Sequence, residues 1–252
     1  MAGAPLLTPA LVLGSLRYGE TSRIVRLATL EHGVQSAIAK GAMRPKSRFG
    51  ASLQLLSEGL AHIVPSRSGD LHTLAAFDLT LLHGGFANDL ERFAAGSALA
   101  ETATRFVPPG PLPHVFESLR DSVALIEAVP RDAVGVVGLR ALWRLIGELG
   151  LTPALRQCAR DGAALPVGDA AFSLRDGGLL CDRCAAAGAN TRLSPADREA
   201  LSAMIVPGGR LPVLDREHAA AHRRLFARWV RYHLSDSAMP ALEFWQRTDA
   251  TA

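Results

Sequence analysis

The chain has 252 residues, 48% of them apolar and 20% charged, which is the balance of an ordinary globular protein and excludes a disordered one. A formal charge of only +3, with an isoelectric point near 9.0, does not demand a polyanion partner, so what matters is where the charge sits. No stretch approaches the roughly 18 consecutive apolar residues of a membrane span, the start MAGAPLLTPA lacks a signal-peptide pattern, and three cysteines do not make a secreted disulfide framework; a cytoplasmic location is expected.

Residues 1–80 read as β. Short apolar segments at Leu11–Leu16, Ser22–Leu30, Val34–Lys40, Leu53–Val64 and Leu71–Leu79 are separated by Tyr18-Gly19-Glu20, Glu31-His32-Gly33, a basic loop and Ser66–Asp70. Five closely spaced strands with glycine-containing turns predict a small barrel or sandwich, and five strands in particular fit an OB-fold. The run Ile24-Val25-Arg26-Leu27 puts apolar residues on both faces, as expected of a closed barrel packed on one side by another domain.

The basic loop, KGAMRPKSRFG from Lys40 to Gly50, holds four cations and no acid. Between Ser15 and Arg48 stand Arg17, Arg23, Arg26, Lys40, Arg44, Lys46 and Arg48 against only Glu20 and Glu31, more than the net charge of the whole chain. Such a run is often only a solvated loop. Its place after a barrel strand, its Gly and Pro residues and the arginines of the preceding hairpin favour a mobile grip on a phosphate backbone, with the barrel as a rigid platform. Phe49 and Tyr18 are candidates for base stacking or for burial.

Residues 81–252 change to a helical pattern. Asp89 is a plausible N-cap for Asp89–Val107, which Pro108-Pro109-Gly110 ends. Leu112–Val129 and Asp132–Leu149 follow, and the stripe Leu139, Leu142, Trp143, Ile146 and Leu149 reads as core. Ser194 before Pro195 opens another helix, and a final one is expected from Asp215 to Leu234. Its Arg224, Arg228 and Arg231 fall on one side, read in the first instance as a solvated face, with a second polyanion contact as the alternative.

Residues 152–190 are glycine-rich and carry all the cysteines. Cys181-Asp182-Arg183-Cys184 places two thiolates where both can reach one tetrahedral metal, half of a zinc ribbon. The upstream half is Cys158-Ala159-Arg160-Asp161, with a carboxylate where a second thiolate belongs. Three thiolates and Asp161 could hold one structural zinc; the alternative is a former metal site held by packing. Deaminase chemistry is excluded, since no His-x-Glu occurs anywhere in the chain. Walker A, GxGxxG, HExxH and GxSxG patterns are also lacking, so no enzyme is expected.

Taken in order, Gly19-Glu20-x-Ser22-x-Ile24-Val25, Thr29-x-x-His32-Gly33, Lys40-Gly41-Ala42-x-Arg44-x-Lys46-Ser47-Arg48, Leu149-Gly150-Leu151-x-Pro153, Phe172-Ser173 and Gly177-Gly178-x-x-Cys181-x-x-Cys184 resemble the bacterial recombination mediator family RecO. The resemblance implies an α+β protein, with an N-terminal OB-fold barrel, a helical domain and a small zinc-ribbon-like insertion. It implies a mediator of the RecF pathway, nucleoid-associated, that binds single- and double-stranded DNA. Such a protein anneals strands coated by single-strand-binding protein, whose C-terminal tail it contacts, and assists recombinase loading with RecR. The family's zinc pattern is two CxxC pairs, from which Asp161 departs. The seven cations above are the expected phosphate contacts. The competing reading is an adaptor that docks proteins and binds DNA weakly.

Overall fold

The computed structural model describes residues 5–186, 191–206, 208–234 and 237–248. It divides into two compact units, Met1–Val134 and Gly135–Ala252.

In the first unit, β1 (Leu6–Tyr18), β2 (Ser22–Thr29), β3 (Gly33–Ala39), β4 (Glu58–Val64) and β5 (Leu71–Leu81) close into a barrel in the order β1-β2-β3-β5-β4. Every pairing is antiparallel except β3 with β5. This is the five-stranded OB-like barrel expected from sequence. Alternate residues point inward: Val25 and Leu27, Ala37 and Ala39, Ala61 and Ile63 are buried with Leu74 and Phe77. Gly33 at φ +64° makes the β2–β3 turn, and a Cβ there would collide with the Pro108 carbonyl oxygen.

Two strand boundaries differ from expectation. β1 begins at Leu6 although Pro9, a residue that weakens a strand reading, lies inside it. β4 begins at Glu58, because residues 40–57 form consecutive turns and not a strand. The apolar signal of Leu53 comes from a plug: Phe49 and Leu53 drop from these turns into the barrel core. Leu56 is held at φ +62° by its N–H, which donates to the Val12 carbonyl at 2.7 Å. That conformation costs a non-glycine residue about 1–3 kcal/mol and persists only where packing and hydrogen bonding enforce it.

Helices α1 (Gly85–Asn88), α2 (Leu90–Phe106) and α3 (Pro113–Ala128) complete this unit. Asp89 caps α2, its carboxylate accepting the Arg92 N–H at 2.9 Å. The buried face of α2 is nearly all Ala and Gly, so the helix lies close on β1 and β2. Leu11 and Ala28, paired on the barrel's outer side, are thereby buried. The cover over Ala28 is thus a helix of the same unit and not another domain, while Ile24, also outward in β2, stays partly exposed. His83 ties the start of β4 to α3, with Glu58 3.0 Å from Nε2 and Glu127 2.5 Å from Nδ1.

The second unit contains most of α4 (Val134–Glu148), a three-stranded antiparallel sheet of β6 (Ala170–Ser173), β7 (Gly178–Leu180) and β8 (Thr191–Leu193) in the order β7-β6-β8, and α5 (Asp182–Ala185), α6 (Pro195–Ile205), α7 (Arg216–His233) and α8 (Pro240–Thr248). Ser194 caps α6 as expected, accepting the Asp197 N–H at 3.1 Å. The helix α8, absent from the sequence reading, buries Trp245 beneath Arg223, whose guanidinium lies 4.4 Å from the indole centroid. Leu139, Leu142, Trp143 and Ile146 form core, with Trp143 set edge-on to Phe226 at 5.1 Å. Trp229 joins this core to the sheet through Phe172, 5.6 Å away. Among the described residues no helix is long and apolar enough to cross a membrane.

Candidate nucleic-acid interface and metal centre

The β1–β2 register sets Arg17 opposite Arg23, and Arg23 opposite Ala39 in β3, one residue before Lys40. The Met43 N–H donates to the Thr21 carbonyl at 2.9 Å, tying the basic segment to the β1–β2 turn. Arg17, Arg23, Lys40 and Arg44 therefore gather at one end of the barrel, with Lys46 and Arg48 further along the same turns. Arg26 stands apart, on the outer face between Gly14 and Ser36.

The sequence reading expected a mobile grip. The structure shows a run of turns closed by i to i+3 bonds, Arg44 N–H to Gly41, Ser47 N–H to Arg44 and Gly50 N–H to Ser47 at 3.0–3.2 Å. Phe49 is in the core and does not offer a stacking face, while Arg48 rests 5.2 Å from its ring centroid. The buried ring anchors the backbone and leaves Lys40, Arg44, Lys46 and Arg48 exposed. Arg17 donates to the Gly19 carbonyl at 3.4 Å, Arg23 to Ser15 Oγ at 3.1 Å and Arg26 to Ser36 Oγ. Among the described residues none of these seven cations forms an ion pair with a carboxylate. By contrast, Arg92 and Arg131 both meet Asp89 at 3.4 Å.

Beside Arg26 the outer face carries a cross-strand row of Leu16, Ile24, Ile38 and Thr73, and Tyr18 stands half-exposed at the end of β1. Arg67, exposed in the β4–β5 loop, leads into Leu71, which pairs with Ser36 next to Arg26. Sequence reasoning missed Leu16, Ile38 and Arg67. The only signal was the broken alternation around Ile24. Arg23 also lines a cleft of about 420 Å³ at the barrel end, with Ser15, Gln54, His83 and Phe93.

In the second unit the four predicted ligands do converge. One donor atom each from Cys158, Asp161, Cys181 and Cys184 lies within 4.8 Å of all the others. Each half is a tight knuckle: the Gly162 N–H returns to the Cys158 carbonyl at 2.9 Å, and the Ala185 N–H to that of Cys181 at 2.9 Å. The β6–β7 hairpin spans the gap between them.

The donor set fits a tetrahedral ion. Thiolates 2.3 Å from a zinc stand about 3.8 Å from one another, and Asp161 lies 3.2 Å from Cys184 Sγ and 3.7 Å from Cys181 Sγ. The Arg183 guanidinium, 2.7 Å away, holds the Asp161 carboxyl well below the usual carboxylate range. That carboxylate, together with burial, pushes the Cys184 thiol up to about 12. Burial of Cys158 opposes its ionisation, yet N–H donors from Cys181, Asp161 and Arg160 bring its thiol below the ordinary value. Three thiols around a carboxylate make a preformed cation site in which a divalent ion would displace the thiol protons.

Residues 1–81 match the family model described as recombination protein O N terminal, and residues 87–243 the one described as recombination protein O C terminal. The DNA repair protein RecO of Pelobacter propionicus (strain DSM 2379 / NBRC 103807 / OttBd1) is 35% identical over 179 residues, which cover 69% of this chain and 70% of that protein. With an OB-like barrel, a helical region and a Cys-bearing sheet in the matching order, the chain belongs to the RecO family of DNA repair and recombination.

Proposed function

We propose that this protein is a non-enzymatic annealing mediator, which neutralises two polynucleotide backbones so that complementary strands can approach and pair. The carrying observation is the set of seven barrel cations without a carboxylate partner among the described residues. Unpaired guanidinium and ammonium groups are free to replace condensed counterions on phosphates, and counterion release supplies sequence-independent affinity. The barrel fixes them, and Tyr18, Leu16 and Ile24 on its outer face offer surface on which bases can stack. Both single- and double-stranded DNA suit such a surface. No bond is made or broken, since base pairing drives the step.

The metal suited to three thiolates and one carboxylate is Zn²⁺, held by Cys158, Asp161, Cys181 and Cys184 as a structural cross-link of the two knuckles. Partnership with RecR and with the acidic tail of single-strand-binding protein belongs to the same reading. A cleft of about 710 Å³ in the second unit supports this, with Trp143, Leu155 and Val206 as apolar wall and Arg144 and Arg156 as cations against the one carboxylate Glu148.

The test is the salt dependence of oligo-dT binding. Each lost phosphate contact lowers the single-strand salt slope by about 0.7, so Lys46→Ala/Arg48→Ala should lower it by about 1.4 and slow annealing of complementary oligonucleotides. A slope equal to that of the wild type would remove the loop from the interface.

A further inference from the structure

Three exposed arginines of the second unit converge on one cleft, while others are held by carboxylates. In the second unit Arg160 pairs with Asp176 at 2.9 Å, Arg183 with Asp161 at 2.7 Å and Arg231 with Glu243 at 4.0 Å. Arg192, Arg224 and Arg228 have no carboxylate partner among the described residues, and all three line one cleft of about 250 Å³ between β8 and α7. Arg224 and Arg228 are four residues apart on α7, a spacing at which like charges repel. Arg192 reaches the same cleft from β8.

Two of these guanidinium groups are positioned by neutral acceptors. Arg192 Nη2 donates to the Asp169 carbonyl at 2.8 Å, and Arg228 Nη1 to Thr191 Oγ1 at 2.9 Å. Each leaves several of its five N–H donors available. The carboxylate in the cleft, Asp197, is already engaged: its Oδ2 accepts the Ser194 hydroxyl at 2.6 Å, and its Oδ1 faces His222 Nε2 at 3.3 Å. The His222 side chain, only 2% exposed, is among the residues lining the cleft, and neither of its ring nitrogens has a hydrogen-bond partner among the described residues. Burial lowers the pKa of that imidazole, so the neutral ring adds no charge to the cleft. Counting Asp197 against three arginines leaves the cleft at about +2.

We infer that Arg192, Arg224 and Arg228 form a phosphodiester-binding cleft, a second polynucleotide contact separate from the barrel cations. This rests on the annealing reading for its ligand and extends it. A preformed cluster of planar guanidinium groups offers several convergent N–H donors to the non-bridging oxygens of a tetrahedral phosphodiester, which a scattered basic face does not.

The experiment measures oligo-dT binding by the full chain across a salt series, with Arg192→Gln/Arg224→Gln beside the barrel variant Lys46→Ala/Arg48→Ala. Both arginines are exposed, so the circular dichroism spectrum and melting temperature should not move; Arg228→Gln probes the same cleft should the double variant fold poorly. The salt slope of Arg192→Gln/Arg224→Gln should fall by about 1.4. An unchanged slope overturns the cleft, whatever the barrel variant does. A fall in this variant alone keeps the cleft and removes the barrel loop. An unchanged DNA slope with weakened binding of an acidic peptide assigns the cleft to protein contact and likewise overturns the proposal.

Discussion

The barrel and the Cys-bearing sheet are both small β structures, yet they are held together by different means. The barrel closes around twelve buried residues, from Ala10 to Phe77, with Phe49 and Leu53 plugging it from the β3–β4 turns. The β6–β8 sheet has strands of three or four residues, and the buried cluster beneath it is Cys158, Ala171, Leu180, Cys181 and Cys184, with Ala159, Ala163, Leu165 and Ala185 partly buried against it. A three-stranded sheet of that size does not bury enough apolar surface to be stable alone. In the barrel apolar volume makes the core and the polar chemistry is outside; in the sheet one face packs Phe172 on Trp229 while the other closes over the polar donors. The surfaces invert as well, since among the described residues the seven barrel cations have no carboxylate partner while Arg160 and Arg183 are bound to carboxylates.

The sharpest way to break this comparison is to remove the donors. On the proposed Zn²⁺ assignment, purified protein should carry about one zinc per chain by elemental analysis. Cys181→Ser/Cys184→Ser should lose it, together with hydrogen-exchange protection across β6–β8 and none in the barrel. Asp161→Cys should retain zinc against a chelator for longer than the wild type, because it completes a four-thiolate set. Chelation that leaves exchange in β6–β8 unaltered would show that packing alone holds the sheet.

On the barrel side the corresponding change is Phe49→Ala, which empties the plug. Truncating a buried Phe costs about 3–5 kcal/mol, read as a lower denaturation midpoint at unchanged slope. The loss should reach the β3–β4 turns first, since Phe49 is what fixes them. If stability fell by under about 1 kcal/mol, the segment would not be anchored in the way its burial indicates.

These two regions were also unequally legible in the sequence. The five strands could be placed because Gly19, Gly33 and Gly69, all at positive φ, mark their turns. The start of β4 was misplaced because Leu53 is apolar for a different reason, filling the barrel from a turn. The metal cluster was readable from spacing alone, since a knuckle brings positions three apart together wherever it forms. By contrast, Arg192 and Arg224 meet only through the packing of β8 against α7, a long-range fact with no local pattern. Arg231, grouped with Arg224 and Arg228 on periodicity, turns out to face Glu243.

A smaller effect sharpens the account of the barrel's outer face. Tyr18 is 52% exposed, and its removal disturbs no core contact. If bases stack there, Tyr18→Ala should weaken oligo-dT binding by about 1–3 kcal/mol, or about 5- to 150-fold. The melting temperature should stay constant, and the salt slope should stay constant too, since a ring releases no counterions. Unchanged affinity would confine binding to the cationic end of the barrel.

The smallest expected effect is a pH dependence confined to the second unit. Burial lowers the pKa of His222 below its ordinary value, outweighing the opposing pull of Asp197, while His218 and the nearby Arg192, Arg224 and Arg228 add positive potential. A histidine whose folded pKa lies below its unfolded value, about 6.5, is neutral in both states above that pH. Its contribution to stability is complete there. As pH falls below about 6.5, the unfolded chain takes up a proton that the folded protein resists, and stability is lost until the folded pKa is passed. His218, four residues earlier on α7, runs the other way. Its bond to Asp215 raises its pKa, so its contribution is present below about 6.5 and fades as pH rises through the folded value. Being exposed, that pair is screened and contributes little, so burial of His222 should set the sign. Thermal melts between pH 5 and 8 should show stability falling toward acid in the wild type and a flatter profile in His222→Gln. Parallel profiles would mean that His222 takes up its proton as readily in the folded cleft as in water.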